Sequence, residues 1–413
     1  MPASGGQGGP AKAAIDDRMA TFETVWQTVN DRYFDASFNG IDWRAVHDEF
    51  APRVRAATSD AEVYTLLNQM LDRLGSSHFS IRGPETTGPD IDVNDASWGG
   101  GTGMTIRIVE GRPTITAVET GGAAALAGLA PGFLVTSIAG TDLSAIYRAE
   151  LAVSSEPRAR FAARRAAAAL LGGMPGSPVD VAFLDSVNAP HTAKLVRQGL
   201  IGRPMRYGDM PTVLVEVETR QLADGVGYLR FNTFLPQLVP ELRMAVHELS
   251  GCRAIVVDLR GNSGGMATVA PAVASLFLSR PTSLGTMKLR NKEFGFPTFV
   301  QQSPYGGRVV VLVDEATAST SEIFAGSLQE MRRATVAGEH TLGAVLPAVI
   351  QKLPNGAVFQ FAVADFRTPN GVMLEGRGVV PDLQISPRRA DYAAGRDPAL
   401  EAAVASLTGQ KRN

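Results

Sequence analysis

The sequence predicts an α/β core accompanied by an N-terminal helical domain and an embedded β module, and three observations lead there. Two apolar runs, AIVVDL at 254–259 and RVVVLV at 308–313, each pass through a small-residue turn into a helical pattern. That alternation belongs to a mainly parallel sheet covered by helices. Residues 15–80 keep helical spacing, whereas residues 98–197 break into short strand-like segments between turn residues. A chain of 413 residues has room for several domains. Its 45% hydrophobic and 19% charged content is that of a globular protein, and a net charge of −2 gives no reason to expect nucleic acid as a partner. No run approaches the ~20 apolar residues of a membrane span. The single cysteine, Cys252, excludes an internal disulfide and any multi-cysteine metal site. Beside a buried strand it reads as a packed thiol.

Taken in order, residues 1–14 are rich in Gly, Pro and Ala and read as a disordered tail without the hydrophobic stretch of a signal peptide. Phe22, Val25, Trp26, Val29 and Tyr33 share one helical face. Ser59-Asp60-Ala61-Glu62 has capping-box spacing, and its helix continues through Leu74 to Gly75, a C-cap residue. His78 is then expected on a short connection just past a helix end. Residues 81–97, polar and rich in Gly, Pro and Asp, read as a linker. The segments MTIRIV, PTITAV, FLVTSIAG and PVDVAFL follow as strands, with a short helix at 121–129 and an Arg/Ala-rich helix near 155–171 whose charges read as a solvated face. From Gly225 strands and helices alternate, and residues 282–305 read as an irregular lid or groove loop. Further strands are expected near 335, 346–351 and 357–364, and Asp397-Pro398 opens a C-terminal helix.

The stretch Asp314 to Gly326 carries the chemistry. A turn of small residues between a buried strand and a helix presents a hydroxyl where backbone N–H groups and the helix dipole favour negative charge. Ser319 and Ser321 both lie in that turn, and a serine nucleophile needs a base. His47 and His247 lie in amphipathic helices and His191 between strands. His78, on its short connection, and His340, in a loop closer to the turn and the runner-up, stay as candidates. After Ser319 the only lysines are Lys352 and Lys411, so a serine–lysine dyad has few candidates.

Several segments, in this order, resemble the tail-specific (C-terminal processing) peptidases, in their tricorn-like branch. They are FETVWQTVNDRYFD, LLNQMLDRLGSSHFSI, GTGMTIRI with TGGAAALAGLAPG, AIVVDLRGNSGG, VVVLVDEATASTSEIFAG, GEHTLGAVLP and TPNGVMLEGRGVVPDL. The resemblance implies a ClpP/crotonase-like ββα core, an embedded PDZ-like module and a serine endopeptidase activity without cofactor or metal. It places the nucleophile at Ser319, the base at His78 beside Ser77, and an orienting glutamate at Glu375. It implies an oxyanion hole from Thr320 and the Gly264-Gly265 pair. The lysine of the better-known branch is replaced by Ala344 within GEHTLGAV, which disfavours a serine–lysine mechanism.

In the PDZ-like module the resemblance implies that Gly101, Gly103, Met104 and Ile106 receive a substrate C-terminus as an added strand. The implied domains are 1–14 tail, 15–92 helical, 93–200 PDZ-like, 201–388 catalytic core and 389–413 C-terminal helix and tail. The expected partner is a peptide or protein substrate, with neither nucleic acid nor a membrane span, and a homo-oligomer stays open. By resemblance the compartment is extracytoplasmic, with the cytoplasm as alternative. A non-catalytic binding protein on the same scaffold and an esterase or amidase are the competing readings.

Overall fold

A computed structural model describes residues 10–84, 99–200, 202–208, 210 and 212–409. They form two compact units. One comprises Met1–Thr86, Met287–Phe294 and Leu346–Phe366; the other comprises Thr87–Thr286, Gly295–Val345 and Arg367–Asn413.

The first unit is built on helices Pro10–Arg32, Trp43–Ala56 and Asp60–Asp72. Of the tail expected at 1–14, residues 1–9 lie outside the described residues, and Pro10 already opens a helix. Phe22, Val25, Val29 and Tyr33 are fully buried, as their spacing predicts, and each large apolar side chain so covered contributes roughly 1.5–3 kcal/mol. The first helix stops where Arg290 takes over its orphan carbonyls, donating to Asn30 O at 2.7 Å and Tyr33 O at 3.0 Å. Ser59 caps the third helix by accepting from Glu62 N at 3.2 Å. Of the expected linker, residues 85–97 lie outside the described residues, but Ser80–Arg82 is a strand. It pairs antiparallel with Val358–Ala362, which pairs in turn with Ala348–Lys352.

His47 in this unit is held between Asp48 (Nδ1 to Oδ1, 2.9 Å) and Glu23 (Nε2 to Oε1, 3.1 Å). Burial pushes its pKa down, but the two carboxylates outweigh burial and hold it above its ordinary value. A raised histidine pKa stabilises the fold at low pH, and that contribution fades as pH rises through the folded-state value. The stability difference between wild type and His47→Gln is therefore expected to shrink by about 0.5 kcal/mol between pH 6 and pH 8.5 in urea titrations.

The second unit contains the β module and the α/β core. In the module, strands Met104–Val109, Arg112–Val118, Leu134–Ile138, Pro178–Leu184 and Pro190–Val196 form one antiparallel sheet in that order. Helix Ala123–Leu126 is followed by Gly128 at φ 78°, the glycine stop expected there. In the core, the sheet order is Val217–Gln221, Val226–Phe231, Ala254–Asp258, Arg308–Val313, Thr335–Gly338 and Leu383–Gln384. Only the first pair is antiparallel. Strands Ala254–Asp258 and Arg308–Val313 are central, which is why their sequences are almost unbroken apolar runs. The region 282–305, expected to be irregular, instead contains strands Ser283–Leu289 and Glu293–Pro297. Asp397 caps the terminal helix Pro398–Thr408, accepting from Leu400 N at 3.1 Å.

A second correction concerns helix Glu156–Leu171. Three of its four arginines, Arg158, Arg160 and Arg164, are not a solvated face, and only Arg165 is exposed. Arg160 Nη2 bonds Glu339 Oε1 at 2.5 Å, and Arg164 Nη1 bonds Asp314 Oδ2 at 2.9 Å and Glu315 Oε1 at 3.3 Å. The carboxylates that claim them lie about 150–180 residues further along the chain, so helical periodicity alone had nothing to pair them with.

Candidate active site

The turn that opens helix Thr320–Glu330 stands at the C-terminal end of the central strand Arg308–Val313, where ligands bind open α/β sheets. From Val309 to Leu328 every residue is buried except Ser319. Ser319 adopts φ 55° and ψ −121°, a conformation that costs a non-glycine residue about 1–3 kcal/mol. Ser319 and Glu322 are spaced as a capping box. Its arm with hydrogen-bond geometry runs from Ser319 N to Glu322 Oε2 at 3.1 Å, and Ser319 Oγ makes no cap bond. Ser321, the alternative hydroxyl, is not the cap residue. It is fully buried and donates to Asn262 Oδ1 at 2.9 Å. Of the two serines, the geometry leaves only Ser319 accessible.

Three neighbours hold this turn. Ala344 O accepts from Ser319 N at 2.8 Å, so the residue standing in place of a lysine touches the nucleophile candidate directly. Asn262 is fully buried and organises the opposite side. Its Oδ1 accepts from Gly264 N as well as Ser321 Oγ, both at 2.9 Å, and its carbonyl accepts from Ala318 N at 3.1 Å. Glu322, also fully buried, receives Thr341 Oγ1 at 2.5 Å, Gly343 N at 2.7 Å and Ala344 N at 3.0 Å besides Ser319 N. Burial pushes its carboxyl up to about 7, against four hydrogen bonds that favour the ionised form. Neither Asn262 nor Glu322 stands out in the sequence as a site residue. The only signals were the Gly-rich RGNSGG run and a glutamate in the first turn of a helix.

The Gly264-Gly265 pair needs glycine. With φ 102° and 138°, both occupy backbone conformations that side chains disfavour. A Cβ at Gly264 would lie 2.8 Å from Thr320 N and 2.9 Å from Ser319 Cβ; one at Gly265 would lie 2.5 Å from Phe234 O. Gly264 is thus packed directly against the serine turn, and Thr320 Oγ1 donates to Gly265 O at 2.9 Å. Gly264 N–H is committed to Asn262, whereas Gly265 N and Thr320 N have no hydrogen-bond partner among the described residues.

Glu375 belongs to the same unit. Its Oε2 accepts from Val345 N at 2.8 Å, and its Oε1 lies 3.6 Å from Arg158 Nη2, which also donates to Gly343 O at 3.1 Å. His78 and Ser77 belong to the first unit. His78 is largely buried at φ 62°, and its Nδ1 lies 2.7 Å from Ser77 Oγ. Which of the two atoms donates in that contact depends on the imidazole tautomer. His340, the runner-up, turns its Nδ1 to Thr341 O at 3.0 Å.

In the β module, Gly100–Gly101 pairs antiparallel with Gln198–Gly199. Gly103 has φ 72°, and its carbonyl accepts from Glu119 N at 2.6 Å. Met104, Ile106, Ala123 and Ala124 do pack together, but within the filled core of the module, where Ile106 is 3% exposed.

Comparison with known proteins adds three findings. The model of peptidase family S41 matches residues 225–385, and that of the tricorn protease C1 domain matches residues 16–72. A carboxyl-terminal-processing protease of Synechocystis sp. is 28% identical over 408 residues, covering 97% of this chain and 89% of that protein. A chloroplastic C-terminal processing peptidase of Tetradesmus obliquus is 27% identical over 396 residues, covering 92% of this chain and 79% of that protein. Among solved structures, a photosystem II D1 C-terminal processing protease shares the fold, with TM-score 0.60 and 24% identity over 95% of this chain and 97% of its own.

Proposed function

We infer that this chain, which belongs to peptidase family S41 and is a serine peptidase, cleaves peptide or protein substrates through an acyl-enzyme at Ser319. The observation that carries the assignment is that Ser319 alone is partly accessible within an otherwise buried segment, at the start of a helix and beside two N–H groups without a partner among the described residues. His78 Nε2 takes the hydroxyl proton as Ser319 Oγ attacks the scissile carbonyl, then returns it to the leaving amine. Ser77 fixes the imidazole tautomer, and Glu375 stabilises the imidazolium through the Ser77 hydroxyl. The oxyanion is received by Thr320 N and Gly265 N. Ala344 at the lysine position favours histidine over lysine as base.

The matched relatives are named for processing carboxyl termini, and we assign the same substrate end here. The β module acts as a PDZ-like receiver in which Gly101, Gly103 and Met104 contact the terminal carboxylate and last residues. Ile106 contributes only by supporting Met104. The reaction takes place outside the cytoplasm in this reading. A matched peptide pair with a free or an amidated C-terminus tests it. The free acid is expected to be cleaved with a KM at least ~10-fold lower, the scale of a charge-assisted hydrogen bond. Equal KM values would remove the module's carboxylate role.

The oxyanion assignment has its own test. Gly264→Ala forces a methyl group against Thr320 N and is expected to lower kcat by about 10²–10³, the cost of displacing one donor. KM is expected to stay within about threefold, since the ground-state carbonyl barely uses the hole.

A further inference from the structure

A second concave region of the larger unit has no part in the site above. It is a cavity of about 870 Å³ at the N-terminal ends of strands Arg308–Val313 and Thr335–Gly338. Ser319 follows the opposite end of Arg308–Val313, and the 11-residue helix Thr320–Glu330 spans the roughly 16 Å between the two regions. Four arginines line the cavity, Arg280, Arg308, Arg332 and Arg333, against one carboxylate, Asp382. Elsewhere in this unit buried or half-buried arginines meet acids: Arg107, Arg160, Arg164 and Arg260 all do. None of the four cavity arginines has an ion pair among the described residues.

A purely structural role accounts for two of them. Arg308 donates to Leu407 O and Ser406 O, both at 3.0 Å, at the end of the terminal helix. Arg333 donates to Phe277 O and to Tyr305 O. Carbonyls orient these guanidinium forks but leave their charge uncompensated, and burial holds Arg333 below its ordinary pKa. Arg280 and Arg332 are exposed and their guanidiniums have no hydrogen-bond partner among the described residues, so capping does not explain them. Backbone supplies more donors. Gly306 and Gly307 also line the cavity, and their N–H groups have no partner among the described residues.

Clustered guanidinium forks with free backbone N–H groups suit oxyanions, which they bind in bidentate fashion. The volume falls within the range of small-ligand sites, about 300–1,000 Å³. We propose that this cavity binds a small ligand carrying at least two oxyanion groups, phosphate or carboxylate, at a place distinct from Ser319. Arg280 and Arg332 supply the charge that an incoming ligand neutralises, and Arg308 with Arg333 forms the pre-oriented floor.

Calorimetric titration of the full chain with pyrophosphate and with citrate, at constant ionic strength, tests the proposal. Saturable binding of at least one is expected: pyrophosphate alone identifies a phosphate ligand and citrate alone a polycarboxylate. The double variant Arg280→Gln/Arg332→Asn should weaken that binding at least ~10-fold while keeping the melting temperature of the unliganded protein. Asparagine is chosen because Arg332 has φ 55°. Absence of saturable binding for both anions, equal binding by wild type and double variant, or binding only of a glutamate-rich peptide would each overturn the proposal.

Discussion

Ser319→Ala is expected to lower kcat by at least ~10⁴-fold while leaving the melting temperature within about 2 °C, because a serine nucleophile and its base act as one unit. Ser319 Oγ makes no cap bond, and the turn is held instead through backbone groups by Ala344 O and Glu322. Removing the hydroxyl therefore takes away chemistry without taking away a structural contact. Ser321→Ala is the matched control. It deletes a buried hydrogen bond to Asn262 and should cost about 1 kcal/mol of stability with less than ~10-fold loss in kcat. If the two variants exchanged these outcomes, the nucleophile would be Ser321 and the burial argument would fail.

The second large effect is on stability. Arg107, buried on strand Met104–Val109, donates through Nε to Glu315 Oε1 at 2.9 Å and through Nη2 to Glu315 Oε2 and Glu339 Oε2. With Arg160, Arg164 and Asp314 this makes three guanidiniums against three carboxylates. The cluster joins the β module to the start of the serine turn and to the residue preceding His340. Burial alone would raise the Glu315 pKa, but Arg107, Arg160 and Arg164 hold it far below the usual carboxylate range. Arg107→Ala strands buried carboxylates and should destabilise the protein by about 3–5 kcal/mol in urea titrations. Arg107→Met with Glu315→Met removes the pair together and should recover most of that loss. Because the Glu315 pKa is depressed, the wild-type advantage is fully present above the ordinary glutamate range and is lost progressively as pH falls from there through the depressed folded-state value. A single variant as stable as wild type would show the cluster to be dispensable.

What was legible in the sequence followed local rules. The buried faces of the N-terminal helices, the Ser59 and Asp397 caps and the two central strands all rest on spacings of a few residues. The preference for Ser319 over Ser321 came from resemblance, and the structure adds a physical reason in the burial of Ser321. Long-range pairing was not legible. The arginines of helix Glu156–Leu171 looked solvated because their acids are far along the chain, and Arg158 reaches Glu375 by the same route. The strands at 283–297 were missed because polar and glycine residues interrupt their alternation. Glu322 does not stand out in the sequence because three of its four donors, Thr341 Oγ1, Gly343 N and Ala344 N, come from a segment that only folding brings to it.

The central claim is that Ser319 is activated by His78 rather than by a lysine. Covalent labelling with a fluorophosphonate, located by peptide mass spectrometry, tests it most directly. The expected result is a single adduct on Ser319 in wild type, no adduct in Ser319→Ala, labelling slowed at least ~10³-fold in His78→Ala, and unchanged labelling in Lys352→Ala. An adduct that persists in Ser319→Ala, or labelling lost in Lys352→Ala but kept in His78→Ala, would contradict it.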